Sequence, residues 1–230
     1  MDVLIRYNQA ISILRKVKAF NETSFNELIS GAKPFGLRTF YKGNSNPYKN
    51  VNDNVFLYQN KGTGYIRRED IPKNREWILK HKVLVPYAVG TGDGKTDKVN
   101  PIYAGINTAC TETYLVIGTF ESEEICQNVI SYINTKFFHF MLTLKKNTQH
   151  TTKLTYEFVP TQDFSQAWDD AKLYQKYGLT KQEINFIESM IRPMDTATTK
   201  PKAKGEKAVQ ESLLESDDER LCDCSYKQGI

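Results

Sequence analysis

Cysteine, histidine and tryptophan are scarce in this chain of 230 residues, which contains four, three and two of them. Cys110 and Cys126 stand alone, Cys222 and Cys224 are separated by one residue, and the histidines lie far apart. A zinc site needs closely spaced cysteine and histidine ligands, and none of these spacings supplies such a set. We expect Cys110 and Cys126 to be buried thiols.

Long apolar runs are also missing, since no stretch approaches the roughly 20 residues that a membrane-spanning helix needs. The first eight residues, MDVLIRYN, lack the charged region, apolar region and cleavage site of a signal peptide. These absences predict a cytoplasmic protein. Hydrophobic content of 40% and aromatic content of 12% are sufficient for a folded core.

Acidic residues are few in the first part of the chain. Residues 1–100 contain 17 Lys and Arg against 9 Asp and Glu, a net charge of +8. Residues 101–194 contain 8 against 10, and residues 195–230 contain 6 against 8. A positive charge concentrated in one region favours a polyanionic partner, although lysine-rich solvated surfaces give the same pattern.

Hydrophobic spacing and turn residues predict an α/β fold of the α+β type, with a small mixed β-sheet and flanking helices. We expect helices at residues 2–19, 24–29, 72–80, 122–144 with a break, 165–177, and from 180 onward, where TKQE at 180–183 has the form of a capping box. We expect strands at residues 55–58 and 65–68, joined as a hairpin by a turn at 61–64. Further strands are expected at 83–88 and 113–117, and a short strand ends at Pro160. Residues 195–230 contain almost no aromatic side chains, so we expect a disordered tail after a domain at 1–194.

Catalytic patterns are weak throughout. The segment 90–96, GTGDGKT, has Val89 where a phosphate-binding loop requires its first glycine, so we expect a long loop there. The segment 45–48, SNPY, lacks the second proline of the Asn-Pro-Pro-Tyr signature and is predicted as a turn. Asp53 with Glu69-Asp70 lacks the lysine that follows in many nucleases, and His139 is expected inside an apolar helix. No catalytic set follows from these spacings.

Cationic and amide side chains are the stronger signal. Lys145, Lys146 and Lys153 have the charge to neutralise phosphates, while Asn147, Gln149 and His150 have donors and acceptors suited to base edges. Five further cations are predicted to extend the same surface: Lys33, Arg38, Lys42, Arg67 and Arg68. Ordinary solvated charges remain the alternative interpretation of all these positions.

An ordered series of short motifs resembles the C-terminal region of bacterial restriction–modification N6-adenine DNA methyltransferases, the type II enzymes that often fuse methylase and nuclease. The motifs are SF at 24–25, KPFGL at 33–37, TYLVIGTF at 113–120, YINTKFF at 132–138, KNTQ at 146–149, YEFVP at 156–160, QDF at 162–164, Trp168, LY at 173–174, KYGLT at 176–180 and FIESMIRPM at 186–194. The resemblance covers about residues 1–194.

In that family this region is the target-recognition domain, which grips double-stranded DNA beside a catalytic domain that flips out the target adenine. The glycine motif for S-adenosylmethionine and the Asn-Pro-Pro-Tyr motif of the catalytic domain are not present here. The resemblance therefore implies a sequence-specific DNA-binding module that is non-catalytic on its own. S-adenosylmethionine, and Mg²⁺ for an endonuclease, would belong to a catalytic partner.

Two alternatives stay open at this point. In the first, the chain is a fragment of an adenine methyltransferase or restriction endonuclease that acts with a separate catalytic subunit. In the second, it is a protein-interaction module or decoy that binds a methylase partner without DNA.

Overall fold

A computed structural model of the protein describes residues 8–88, 99–145 and 152–191. These residues form five α-helices and two three-stranded sheets, which confirms the predicted α+β class. All of them belong to one compact unit, residues 1–194. The expected tail at 195–230 and the expected loop at 90–96 lie outside the described residues.

The first sheet is mixed and has the strand order β2-β1-β5. Strands β1 (Asn54–Gln59) and β2 (Gly62–Arg67) form an antiparallel hairpin, as the sequence predicts, while β5 (Thr108–Cys110) runs parallel to β1. The hairpin turn is Asn60-Lys61, because Gln59 pairs with Gly62. The turn thus comes slightly earlier than the predicted Lys61–Gly64, and Lys61 adopts a φ of +61° there.

The second sheet is antiparallel and has the order β4-β3-β6, with strands Ile102–Ala104, His81–Pro86 and Tyr114–Phe120. Successive residues of a strand point to opposite faces. Val83 and Val85 accordingly enter one hydrophobic cluster, and Leu84 between them enters another. This sheet is therefore buried on both faces, which explains the near-continuous apolar sequence of β3.

The larger cluster, which we name the helical core, is packed by five helices: α1 (Asn8–Lys18), α2 (Glu123–Ile133), α3 (Lys136–Thr143), α4 (Asp170–Lys176) and α5 (Lys181–Met190). The smaller cluster, the sheet core, lies between the two sheets. It contains Phe35, Leu37, Val55, Leu57, Ile66, Ile71, Ile78, Leu84, Ala104, Ala109, Cys110 and Val116.

Side-chain caps set the helix starts. Ser122 accepts a hydrogen bond from the amide of Ile125 at the start of α2, and Thr135 accepts one from Phe138 at the start of α3. The Thr135 cap marks the break expected between residues 122 and 144, since its side chain satisfies one of the first amides of α3, which have no partner within that helix. Thr180 and Glu183 form the predicted capping box of α5.

Several expected elements are wrong in type or length. The strand expected before Pro160 is a 3₁₀-helix, Lys153–Tyr156, because Thr152 and Thr155 form a capping box and Tyr156 is buried in the helical core. The expected helices at 24–29 and 72–80 are the 3₁₀-helices Phe25–Leu28 and Arg75–Leu79. The helix expected at 165–177 is α4, Asp170–Lys176.

Cys110 and Cys126 are buried and unpaired, as the sequence predicts. Burial raises the pKa of the Cys126 thiol to about 12 and raises that of Cys110 further. Both thiols are therefore held in the protonated, unreactive form at neutral pH. Of the helices within residues 8–88, 99–145 and 152–191, none is long and apolar enough to cross a membrane.

Candidate nucleic-acid interface

The segment from residue 33 to residue 68 concentrates the positive charge of the chain. It contains seven Lys and Arg against a single acidic residue, Asp53, a net charge of +6. The seven cations are Lys33, Arg38, Lys42, Lys49, Lys61, Arg67 and Arg68. The segment includes the β1–β2 hairpin and the loop that precedes it, so the fold can bring these charges together.

That preceding loop is hydrogen-bonded to the edge of the first sheet. The amide of Asn44 donates to the carbonyl of Tyr65 at 2.8 Å, and the Tyr65 amide donates back to the Asn44 carbonyl at 2.9 Å. The Gly43 amide donates to Gln59 Oε1 at 2.8 Å. A Cβ atom on Gly43 would lie 2.7 Å from the Tyr65 carbonyl oxygen, so this close approach requires glycine.

Cations occupy both ends of the β2 edge. At the turn, Lys42 Nζ donates to the carbonyl of Asn60 at 2.5 Å. At the other end, the guanidinium carbon of Arg67 lies 5.0 Å from the centre of the Tyr48 ring. A strand of six residues spans about 17 Å, which equals about five steps between successive phosphates along one strand of duplex DNA.

We name the exposed cations of the hairpin and its preceding loop the basic rim, and it consists of Arg38, Lys42, Lys49, Lys61 and Arg67. At its Arg67 end an acidic neighbour compensates little of the charge. Arg67 Nη1 lies 3.4 Å from Glu69 Oε1, but the two side chains are 50% and 73% exposed, and pairs of that kind contribute little. The basic rim is therefore a solvent-accessible cationic edge.

Two predicted residues lie beside a carboxylate from a distant part of the chain. Lys33 Nζ is 3.7 Å from Glu112 Oε2, and Arg38 also acts on this carboxylate. Burial acts in the opposite sense, but hydrogen bonds from Thr39 and these two cations lower the pKa of Glu112. Part of the charge of Lys33 and Arg38 is thus neutralised within the protein.

Arg68 is not on the hairpin, contrary to the sequence prediction. It begins the 3₁₀-helix Arg68–Asp70, and its Nη2 donates to Asn107 Oδ1 at 2.7 Å. It lines an open cleft of about 480 Å³ whose other lining residues are Asp53, Glu69, Arg75, Glu76 and Leu79. Three carboxylates offset the two guanidinium groups, so this cleft is a poor phosphate site.

The second predicted group lies on the helical core. Lys145 forms an ion pair with Glu157, and its Nζ is 5.5 Å from the centre of the Phe158 ring. Lys18 Nζ lies 5.1 Å from the same ring, a contact the sequence did not predict. Lys153 is exposed at the start of its 3₁₀-helix. Lys146, Asn147, Gln149 and His150 lie outside the described residues.

The predicted site residues therefore belong to two places. Lys33, Arg38, Lys42 and Arg67 surround the sheet core, together with Lys49 and Lys61, which sequence reasoning missed. Lys145 and Lys153 belong to the helical core. The position of Lys61 in the turn of a predicted hairpin is the signal that identifies it from sequence.

Phe40 is a further residue that sequence reasoning missed. Its side chain is 81% exposed at the tip of a turn between Arg38 and Lys42. The alternation of cations and aromatic rings in the sequence RTFYK, residues 38–42, is the signal that could have revealed it. Aromatic side chains beside cations are typical of surfaces that bind nucleic acids.

Acidic, cysteine and histidine side chains do not gather around a metal position in the part of the chain that the structure describes, where no group of three is found. His81 Nδ1 lies 2.7 Å from the Tyr103 hydroxyl, and the two rings are stacked. His139 is buried in α3, as the sequence predicts.

No protein-family model matches this chain, and no curated protein matches it either.

Proposed function

We propose that the protein is the sequence-specific DNA-binding module of a restriction–modification system and is non-catalytic on its own. The observation that carries the proposal is the basic rim, in which Lys42 and Lys61 lie at one end of β2 and Arg67 at the other, about 17 Å along the strand. Neutralising phosphates releases counterions from DNA, and this release supplies a large share of the affinity of such proteins. The motif resemblance to target-recognition domains agrees with this interpretation.

The proposed ligand is double-stranded DNA, with a methyltransferase or endonuclease subunit as the second partner. That partner would hold S-adenosylmethionine and, for cleavage, Mg²⁺. Base-edge contacts are assigned to the 145–153 segment, whose amide and imidazole side chains suit them. The basic rim would position the duplex, since phosphate contacts fix register without reading sequence.

The decisive experiment measures DNA affinity against salt concentration for two matched double variants. Lys61→Ala/Arg67→Ala removes two charges from the basic rim. Lys172→Ala/Lys181→Ala removes two exposed charges from α4 and α5. Each lost phosphate contact should reduce the slope of log affinity against log salt by about 0.9. The slope of the rim variant should therefore fall by roughly 2, and that of the control variant should not change.

Equal slopes for the two variants would reject the basic rim as the DNA-contacting surface. Sequence specificity needs its own measurement, which is selection from a randomised duplex library. A recognition site should emerge, and binding that stays salt-dependent while no site is enriched would contradict the specificity part of the proposal.

A further inference from the structure

The turn at residues 38–41 presents an aromatic side chain to solvent from a hydrogen-bonded backbone. The amide of Tyr41 donates to the carbonyl of Arg38 at 3.0 Å and closes the turn, with Thr39 and Phe40 at its tip. Phe40 is 81% exposed, the most exposed large hydrophobic side chain among the described residues. One exposed apolar residue is common in proteins, so its exposure alone indicates nothing.

The chain on the N-terminal side of Phe40 is held by one carboxylate. Glu112 Oε1 accepts hydrogen bonds from the amide of Thr39 at 3.2 Å and from its hydroxyl at 3.1 Å. The Glu112 amide donates to the carbonyl of Leu37 at 2.9 Å. The position of Thr39 is thus determined by a residue 73 positions later in the chain.

The chain on the C-terminal side is held by the hairpin, through the contacts of Lys42 and Gly43 described above. The backbone at Phe40 is therefore fixed to the sheet core on both sides, while the ring itself is exposed. A backbone that is already ordered loses little conformational entropy when the ring binds a partner, and this favours affinity.

The charge around Phe40 restricts the chemistry of its partner. Arg38 and Lys42 flank it, and the segment from residue 33 to residue 68 has a net charge of +6. The partner must therefore combine anionic groups with a flat apolar surface at the spacing of a few residues. A nucleic-acid strand with an accessible base has this combination, since each base has a π-face between two phosphates.

We propose that Phe40 stacks on an unpaired base while Arg38 and Lys42 contact the flanking phosphates. This inference rests on the proposed DNA-binding function and adds a preference to it. In a perfect duplex every base face is covered by its neighbours, and exposing one costs unstacking energy. The protein should therefore prefer duplex DNA that carries an unpaired base.

The experiment compares a perfect duplex with the same duplex carrying one additional unpaired adenine. The wild-type protein should bind the second duplex about tenfold more tightly, within the range that stacking of one base on an aromatic ring provides. Phe40→Ala should abolish this preference, and Phe40→Trp should retain it. Leu79→Ala is the matched control, because Leu79 is also exposed, at 60%, and lies outside the turn.

A second readout reports the stacking itself. With 2-aminopurine as the unpaired base, the wild-type protein should quench its emission, and Phe40→Ala should not. Thermal unfolding of Phe40→Ala should match the wild type, since the removed ring is mostly in solvent.

Three outcomes would overturn the inference. If the wild type binds both duplexes equally with the expected salt dependence, the DNA-binding function stands and the stacking role is wrong. If Phe40→Ala keeps the preference, another residue provides it. If neither duplex is bound, both the DNA-binding function and the stacking role are wrong.

Discussion

Replacing Glu183 with glutamine should destabilise the protein measurably, because this carboxylate connects the two ends of the described chain. It accepts hydrogen bonds from Ser12 at 2.5 Å and from Lys16 at 2.7 Å, both on α1. It also accepts from the amide of Thr180 at 2.8 Å, which caps α5. Glutamine has nearly the same shape but lacks the charge, so the substitution isolates the electrostatic part.

The magnitude follows from the ionisation of Glu183. Burial acts to raise its pKa, but the hydrogen bonds from Lys16, Ser12 and Thr180 outweigh it and lower the pKa from 4.5 to about 2. One pKa unit corresponds to about 1.4 kcal/mol, so this difference is worth about 3 kcal/mol. Lys16 is 33% exposed, and solvent screening reduces the expected cost to about 2 kcal/mol.

The assay is urea unfolding of the wild type and of Glu183→Gln, followed by tryptophan fluorescence at several pH values. A carboxyl group whose pKa is lowered on folding stabilises the protein above its unfolded pKa of 4.5, and this contribution disappears as the pH falls towards 2. The stability difference between wild type and variant should therefore be constant above about pH 5.5 and shrink in acid.

The matched control is Glu76→Gln, an exposed carboxylate that should change stability by less than about 0.5 kcal/mol. A Glu183→Gln variant as stable as this control at pH 7 would refute the reasoning. So would a loss that stays the same between pH 6 and pH 3, because such a loss would come from shape and not from charge.

Three further predictions concern single substitutions. Burial lowers the pKa of Lys82 from 10.5 to about 8. Between pH 8 and pH 10.5 the unfolded chain binds more protons than the folded one, so the stability of the wild type relative to Lys82→Met should rise with pH. Urea unfolding at about pH 7.5 and about pH 10 measures this difference. Gly43→Ala should cost about 1–3 kcal/mol by chemical denaturation and weaken DNA binding, because the new Cβ meets the Tyr65 carbonyl oxygen. Asp170→Ala should cost about 1 kcal/mol, seen as a lower melting temperature, because the Asp170 carboxylate accepts the amide of Phe137 at 2.8 Å at the start of α3.

The sequence predicted the elements whose signals are local. The hairpin follows from two strand-like segments around a glycine-containing turn, α2 from the carboxylates at its start, and α5 from its capping-box residues. Helix α3 was predicted only as the continuation of α2 after a break. Strands β4 and β5 were missed because three residues are too few to show a period of two. The 3₁₀-helices were mistaken for α-helices or a strand, since only hydrogen bonding distinguishes them at this length.

The candidate site was predictable in composition but not in arrangement. The basic character of residues 33–68 is visible in the sequence. That Lys145 and Lys153 lie at a different core could not be predicted, because it depends on which core each segment packs against. The neutralisation of Lys33 by Glu112 could not be foreseen, because these residues are 79 positions apart and meet only through the fold. The position of Phe40 depends on Glu112 as well, through its hydrogen bonds from Thr39.

The two-sided burial of the second sheet has a consequence for which positions of this chain can vary. The helical core is assembled from segments on both sides of the sheet core in sequence, and the basic rim projects from the part between them. Neighbouring residues Val116 and Ile117 pack into different cores, so strand β6 contributes to the helical core and to the sheet core. Exposed positions of the loop at 38–49, such as Phe40 and Lys49, can therefore vary while the helices keep their packing. Thr39 and Gly43 have to be retained, because they hold the loop on the sheet core. A library confined to the exposed positions would vary the basic rim without altering the scaffold that holds it.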